Sequence, residues 1–244
     1  MKRAIDINSD LGEGTGLDAV LMPYLSSCNI ACGGHFGNEE SMRETVRLAM
    51  EHKVKIGAHP SFPDKDNFGR KIMHMTKEEL TDSIFYQLLG FLAVCETEEA
   101  EVHHIKLHGA LYNYAAIDAP TSDAVLEAIT RLKWRPVLFV PYNSVLHRKA
   151  ENLLPLKFEA FIDRRYTEEG QLVPRSQKGA VIEKEDEAWE QLWQMVNEER
   201  LTTITGSIIS VVADTYCIHS DTLHSEKILK YIHKQLSNKN VEVT

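Results

Sequence analysis

Four segments that read as strands stop at or beside a histidine. NIACGGH ends at His35, VKIGAHP carries His59, HIKLHGALYN carries His108 and YCIHSD carries His219. Histidine gains and loses its proton near neutrality, and its neutral ring is a common metal ligand. Each of the four stands where an extended run gives way to a turn, so all could gather on one rim. Carboxylates follow the same placement. In DINSDLGEG, Asp6, Asn8 and Asp10 alternate along a strand and share one face, with Glu13 just beyond. Polar groups on a buried strand face need hydrogen-bond or metal partners, which makes Asp10 the first candidate for a catalytic or metal-binding carboxylate.

Lys106 and His108 flank Leu107 in KLHGALYN, so a cation and a base lie at one strand end. Downstream, FIDRRYTEEGQLVPRSQKGA holds Asp163, Arg164, Arg165 and Arg175 around an expected hairpin, YTEEGQLVP. Guanidinium forks match the paired oxygens of carboxylates and phosphates. DTYCIHSD brings Asp214, His219 and Asp221 close in sequence, where a carboxylate could fix a histidine's tautomer and raise its basicity. Catalysis is therefore expected from Asp10, His59, Lys106, His108, Asp214 and His219. Substrate binding is expected from Asn8, Glu13, His35, Arg164, Arg175 and Asp221. His52, His74, His103, His104, His147, His224 and His233 lack such a setting and read as structural or surface groups.

No G-x-S-x-G elbow is present. A set of Asp, His, Lys and Arg suits water activation and charge stabilisation rather than a covalent acyl-enzyme. The glycines of GEGTG do not complete a dinucleotide fingerprint, because its third glycine would fall at Leu17, and no P-loop occurs. The Pro- and Phe-rich GAHPSFPDKDNFGR is expected to form a lid over the site.

These groups need a scaffold. RAIDINSD, SCNIAC, VKIGA, HIKL, PVLFV, KFEAF and IISVVADTYCIH read as seven strands. Between them, Met42, Val46, Ala49 and Met50 mark one face of a helix over 38–52. Thr76 and Glu79 form a capping box that opens a helix striped by Leu80, Ile84, Leu88 and Leu92. Residues 122–132 read as helical, Thr205-Gly206 as a hairpin turn, and Ile228, Leu229, Ile232 and Leu236 stripe a last helix. Short apolar strands alternating with amphipathic helices indicate a parallel sheet. Seven such units indicate a closed or nearly closed barrel, with its active site at the carboxyl ends of the strands. Residues 1–244 are expected to be a single (β/α) barrel domain.

Lys and Arg number 27 against 36 Asp and Glu, a net charge of −9, which argues against a nucleic-acid partner. No run approaches a membrane span, and the polar N-terminus lacks a signal core. On one strand Cys28 and Cys32 would stand ~13 Å apart at ~3.3 Å per residue, beyond the ~7 Å of a disulfide. The cysteines are therefore expected to be reduced, in a cytoplasmic protein.

Taken together, DINSDLGEG, SSCNIACGGHFGN, GAHPSFPD with FGRK, KLHGALYN, DRRYTEEGQLVPRSQKGAVI and ADTYCIHSD resemble, in order and over nearly the whole chain, the LamB/YcsF family of 5-oxoprolinase A subunits. The resemblance implies an irregular seven-stranded (β/α) barrel like that of the glycoside hydrolase/deacetylase group. It implies ATP-dependent opening of the lactam of 5-oxoproline (pyroglutamate) to L-glutamate, together with partner subunits B and C. With no P-loop in the chain, ATP would bind through a new surface or on a partner. Deacetylases of similar fold often hold a divalent metal with an Asp from strand one and two His from later strands. Asp10, His59 and His108 would be the corresponding set. A metal-dependent carbohydrate deacetylase and a non-catalytic scaffold subunit remain as other readings. Phe36, Asn38, Ser61, Leu107 and Ser220 depart from the residues usual in the family, at positions expected on the rim of the site.

Overall fold

The structure, a computed structural model, describes residues 3–244. Its strands are β1 (Arg3–Leu11), β2 (Ser27–Ala31), β3 (Lys55–His59), β4 (Val102–Lys106), β5 (Val137–Val140), β6 (Leu156–Phe161), β7 (Arg200–Thr202), β8 (Ile208–Ser210), β9 (Thr215–Cys217) and β10 (Val241–Val243). Its helices are α1 (Asp18–Leu21), α2 (Glu39–His52), α3 (Lys77–Thr97), α4 (Gly109–Ala115), α5 (Ala119–Arg131), α6 (Val145–Ala150), α7 (Glu185–Glu198) and α8 (Ser225–Asn238). Strands β1 to β6 run parallel in sequence order, and β9 pairs with both β6 and β1, closing a seven-stranded barrel. The long β1 also carries β10 on its amino-terminal half, with Arg3 opposite Val241.

The helices form where apolar spacing and caps coincide. Asn38 and Ser41 cap α2 reciprocally, as Thr76 and Glu79 cap α3. Leu80, Ile84, Leu88 and Phe91 of α3 are buried, and Leu92 is half-buried beside them. Met50, expected on the buried face of α2, is 42% exposed; the buried stripe is Met42, Thr45, Val46 and Ala49. Helix α5 begins before the expected Ser122 because the Asp118 carboxylate accepts the Thr121 amide and a proline occupies the first turn. IISVVADTYCIH is two strands rather than one. β8 folds back on β7 across Gly206, whose φ of +90° a side chain would resist, and only β9 enters the barrel. All four cysteines are buried and unpaired. Among the described residues no helix is long and apolar enough to cross a membrane.

Parallel barrels usually fill their interior with branched aliphatic side chains. This one is filled by a hydrogen-bonded polar stack. Register sets Asp6 opposite Thr215, Asn8 opposite Cys217 and Asp10 opposite Asn29. The apolar core lies between the barrel's outer face and the helices.

Candidate active site

The stack is built upward from the barrel floor. Ser27 and Thr215 donate hydroxyls to Asp6 at 2.8 and 2.7 Å. Asn8 donates to Thr215 and Glu159, and Asn29 donates to both Asn8 and Asp10 at 2.8 Å. His104 is wholly buried; its Nε2–H donates to Asn29 Oδ1, and its ring fills the space above Gly57. A Cβ at Gly57 would lie 2.1 Å from that ring nitrogen, so the strand needs glycine there. These bonds fix Asp10 from below.

Lys106 completes the floor of the mouth. Its ammonium meets Asp10 Oδ1 at 2.8 Å, Glu159 Oε1 at 3.0 Å and Cys217 Sγ at 3.0 Å. An ammonium has three N–H donors, so all three are engaged. Burial opposes the ionised carboxyl of Asp10, yet His59 and Lys106 hold it well below the usual carboxylate range. Burial likewise opposes the charge on Lys106, but Asp10, Cys217 and Glu159 hold it well above the usual lysine value. Burial raises Glu159, which Lys106 only partly offsets because the Asp10 charge also repels it.

On one side of Asp10, three strand-end histidines meet Glu13. His35 Nε2 lies 2.9 Å from Glu13 Oε1, and His108 Nδ1 lies 3.2 Å from the same oxygen and 3.0 Å from His59 Nε2. The His35 and His108 rings stack 3.6 Å apart. Burial lowers His35 to about 4 and lowers His108, so both rings are neutral at physiological pH. Such a buried Glu/His cluster could hold a divalent metal. On the other side of Asp10, His219 Nδ1 meets both oxygens of Asp163 at 3.0 Å, and Thr222 donates to the same carboxylate. Burial raises the Asp163 carboxyl, but His219 and Thr222 bring it down to about 2.

Above these groups lies a cavity of about 500 Å³. Asp10, Lys106, His108 and His219 line its floor; Arg70, Arg164 and Arg175 line its side. Asp221 accepts from Arg175 at 3.1 Å and from Arg70, and so ties two of the arginines together. Arg164 donates to the Val173 carbonyl but leaves its buried Nε without a partner; burial lowers it to about 10. A neighbouring cavity of about 620 Å³ shares Tyr112 and Phe161 as a wall and reaches Glu159, whose Oε2 has no partner.

Of the residues expected to act, Asp10, Lys106, His108, His219, Arg164 and Arg175 face the one cavity. Asn8, Glu13, His35 and His59 lie behind its wall in buried networks. Asp221 braces the arginines. Asp214 is exposed at the amino end of β9, where it accepts the Phe158 amide, at the opposite end of the strand from His219. Asp163 is the carboxylate that His219 meets. His59 and His108 gather with Glu13 and His35; Asp10 binds Lys106 at 2.8 Å, and its Oδ2 lies 3.4 Å from His59 Nε2. Ser61, Leu107 and Ser220 are buried beneath the rim rather than on it. Glu159 and Asn29 were not singled out by the sequence motifs. The available signal was a lone carboxylate and a lone amide inside short, mostly apolar strands. The GAHPSFPDKDNFGR loop packs down on the mouth, with the Phe68 carbonyl accepting from His108 Nε2 at 2.9 Å.

The closed parallel barrel and this mouth define an α/β-barrel protein equipped for acid–base and anion chemistry. The LamB/YcsF family matches residues 5–244, and the chain belongs to that family. It is 40% identical over 243 residues to the 5-oxoprolinase A subunit of Haemophilus influenzae (strain PittEE), covering 99% of each chain. It is 42% identical over 246 residues to the 5-oxoprolinase A subunit of Bacillus subtilis (strain 168), covering 98% of this chain and 96% of that one. The crystal structure of the lactam utilization protein from Thermus thermophilus matches with a TM-score of 0.90 and 36% identity, covering 100% of this chain and 99% of that one. A family 4 carbohydrate esterase from Streptomyces lividans, in complex with acetate, shares the fold, with a TM-score of 0.50 and 7% identity over 99% and 91% of the two chains.

Proposed function

We propose that this chain is the lactam-binding subunit of an ATP-dependent 5-oxoprolinase, which opens 5-oxoproline to L-glutamate with partner subunits B and C in the cytoplasm. The 5-oxoprolinase relatives support the substrate. The observation that carries the reading is that an ionised buried carboxylate, Asp10, and three arginines open into one small cavity. The arginines match the substrate carboxylate and the oxygens of a phosphoryl group.

A lactam carbonyl is a poor electrophile because amide resonance delocalises its nitrogen lone pair. Transfer of a phosphoryl group from ATP to the lactam oxygen, with ADP leaving, removes that protection. Arg164 and Arg175 carry the added charge. Asp10 orients the attacking water and takes its proton; a weakly basic carboxylate suffices once the carbon is activated. His219, oriented by Asp163 through Nδ1, hands a proton to the ring nitrogen as the C–N bond breaks. The acyl phosphate left behind takes a second water, releasing phosphate and glutamate. Glu13, His35, His59 and His108 would hold a divalent ion, which when bound supplies fixed positive charge behind His108.

With no P-loop in the chain, the nucleotide is held jointly with a partner subunit. The adjoining cavity of about 620 Å³ offers it room beside the lactam. The test is glutamate release by the assembled three-subunit enzyme with ATP. Asp10→Asn is expected to lose ~10²- to 10⁴-fold in turnover, the usual contribution of a positioned acid or base. Full turnover by that variant would favour a scaffold role and overturn the reading.

A further inference from the structure

We infer that Glu13, His35, His59 and His108 form a closed site for one divalent transition-metal ion that fastens together the carboxyl ends of β1 to β4. This goes beyond the lactam reading, because the ion acts as a structural clamp and its presence is measured on the chain alone.

Ring tautomers carry the argument. His59 Nδ1 lies 2.8 Å from the Lys106 carbonyl and His108 Nε2 lies 2.9 Å from the Phe68 carbonyl. A carbonyl only accepts, so both of those nitrogens carry protons. The opposite nitrogens, His59 Nε2 and His108 Nδ1, therefore present lone pairs to each other at 3.0 Å. Glu13 Oε1 adds negative charge 3.2 Å from one and 3.8 Å from the other; His35 Nε2 lies 2.9 Å from the same oxygen and, because His35 Nδ1 makes no hydrogen bond, either donates to Glu13 or turns its lone pair to a bound ion. Electron-rich atoms facing one another in a buried space call for a cation between them.

The spacing fits a metal ion. Four ligands held ~2.1 Å from a tetrahedral ion stand ~3.4 Å apart; four of the six separations here run from 2.9 to 3.8 Å, and all six lie within 4.8 Å. Three imidazoles and one carboxylate suit zinc or cobalt over magnesium and calcium, which prefer all-oxygen shells. The side chains of Glu13, His35, His59 and His108 are 4, 0, 1 and 5% exposed. Four protein ligands with no open position mark a structural site. Each ligand comes from the end of a different strand, and His108 also holds the Phe68 loop, so the ion would fix half of the mouth. In a second grouping, Asp10, Cys217 and His219, the Lys106 ammonium already sits 2.8 Å from Asp10 Oδ1 and 3.0 Å from Cys217 Sγ as the cation.

The experiment is metal analysis of the purified full chain by inductively coupled plasma mass spectrometry, followed by chelation and titration with zinc or cobalt. One ion per chain is expected, with a tetrahedral cobalt spectrum. Chelation is expected to lower Tm by about 5–10 °C relative to protein held at ~100 times Kd. Glu13→Gln should weaken affinity by more than the ~10- to 100-fold typical of losing an outer-shell partner. Asp10→Asn should keep the ion. If Glu13→Gln proves unstable, the wild-type cobalt spectrum decides, and an octahedral spectrum overturns the proposal. So does a chain that binds neither metal and gains no stability from it, which would mean that a proton shared by His59 and His108 fills the gap. Loss of the ion in Asp10→Asn but not in Glu13→Gln would assign it to a different ligand set.

Discussion

Replacing Lys106 with methionine tests the charge balance at the barrel floor. The substitution keeps an unbranched stem and removes the ammonium that bridges Asp10 at 2.8 Å and Glu159 at 3.0 Å. Both carboxylates are buried, and breaking a buried ion pair from one side costs ~3–5 kcal/mol. For a chain of this size that lowers Tm by ~6–20 °C, at ~2–4 °C per kcal/mol. The loss should depend on pH. Without Lys106 the Glu159 carboxyl, already raised by burial, rises further, so the folded state binds more protons than the unfolded chain. Stability of Lys106→Met should therefore fall between pH 5 and 8 more steeply than that of the wild type. Adding Glu159→Gln removes one orphaned charge and should restore stability, leaving a coupling of ~0.5–3 kcal/mol between the two sites. Asp10 keeps His59 and His219 as neighbours in every variant. Urea unfolding followed by far-ultraviolet circular dichroism, at both pH values, measures all three proteins. Additive losses with no pH dependence would refute the reasoning, because Lys106 would then not be neutralising Glu159.

The Asp163 carboxyl, near 4 in an unfolded chain and about 2 here, contributes ~2 kcal/mol above pH ~4 that is lost as pH falls toward 2. Acid unfolding of Asp163→Asn should lack that component, and an unchanged acid transition would count against the pairing with His219. Gly57→Ala puts a methyl group 2.1 Å from His104 Nε2 and should cost at least the ~1–3 kcal/mol of overpacking, read as a lower urea midpoint. The same measurement on Gly90→Ala, where nothing lies within 4 Å of the added Cβ, should show no such loss.

The barrel was legible because its signals are local. Apolar runs of four to six residues, the capping box at Thr76 and amphipathic stripes each state their element without reference to the rest of the chain. The histidine placement was legible for the same reason: in a parallel barrel every strand's carboxyl end faces one mouth. Partner choice was not legible. Asp214 is five residues from His219 and points to the other end of the barrel, whereas Asp163, fifty-six residues away, meets the ring. Sequence proximity along a strand separates side chains by its length, and only closure of β6 against β9 brings Asp163 in. Glu159 was hidden in KFEAF because a single carboxylate in a short strand looks like an outward-facing residue until register shows it opposite Thr215 inside the barrel.

The same register decides what Lys106 does. Read as a lone lysine at a strand end, it is a natural anchor for an anionic substrate. Inside the closed barrel its three donors are taken by Asp10, Glu159 and Cys217, and its side chain is 2% exposed. A bound carboxylate would have to displace one of these, and two of the three are carboxylates already. Lys106 therefore acts on Asp10, holding it ionised and fixed, and leaves anion recognition to the arginines on the wall. Arg164 has an unpartnered Nε, and Arg70 and Arg175 share a single carboxylate, Asp221, between them. Positive charge in excess of its partners thus lies on the side of the cavity, while the floor is balanced. An anionic substrate is drawn toward the wall, which leaves its reacting carbonyl free to face Asp10.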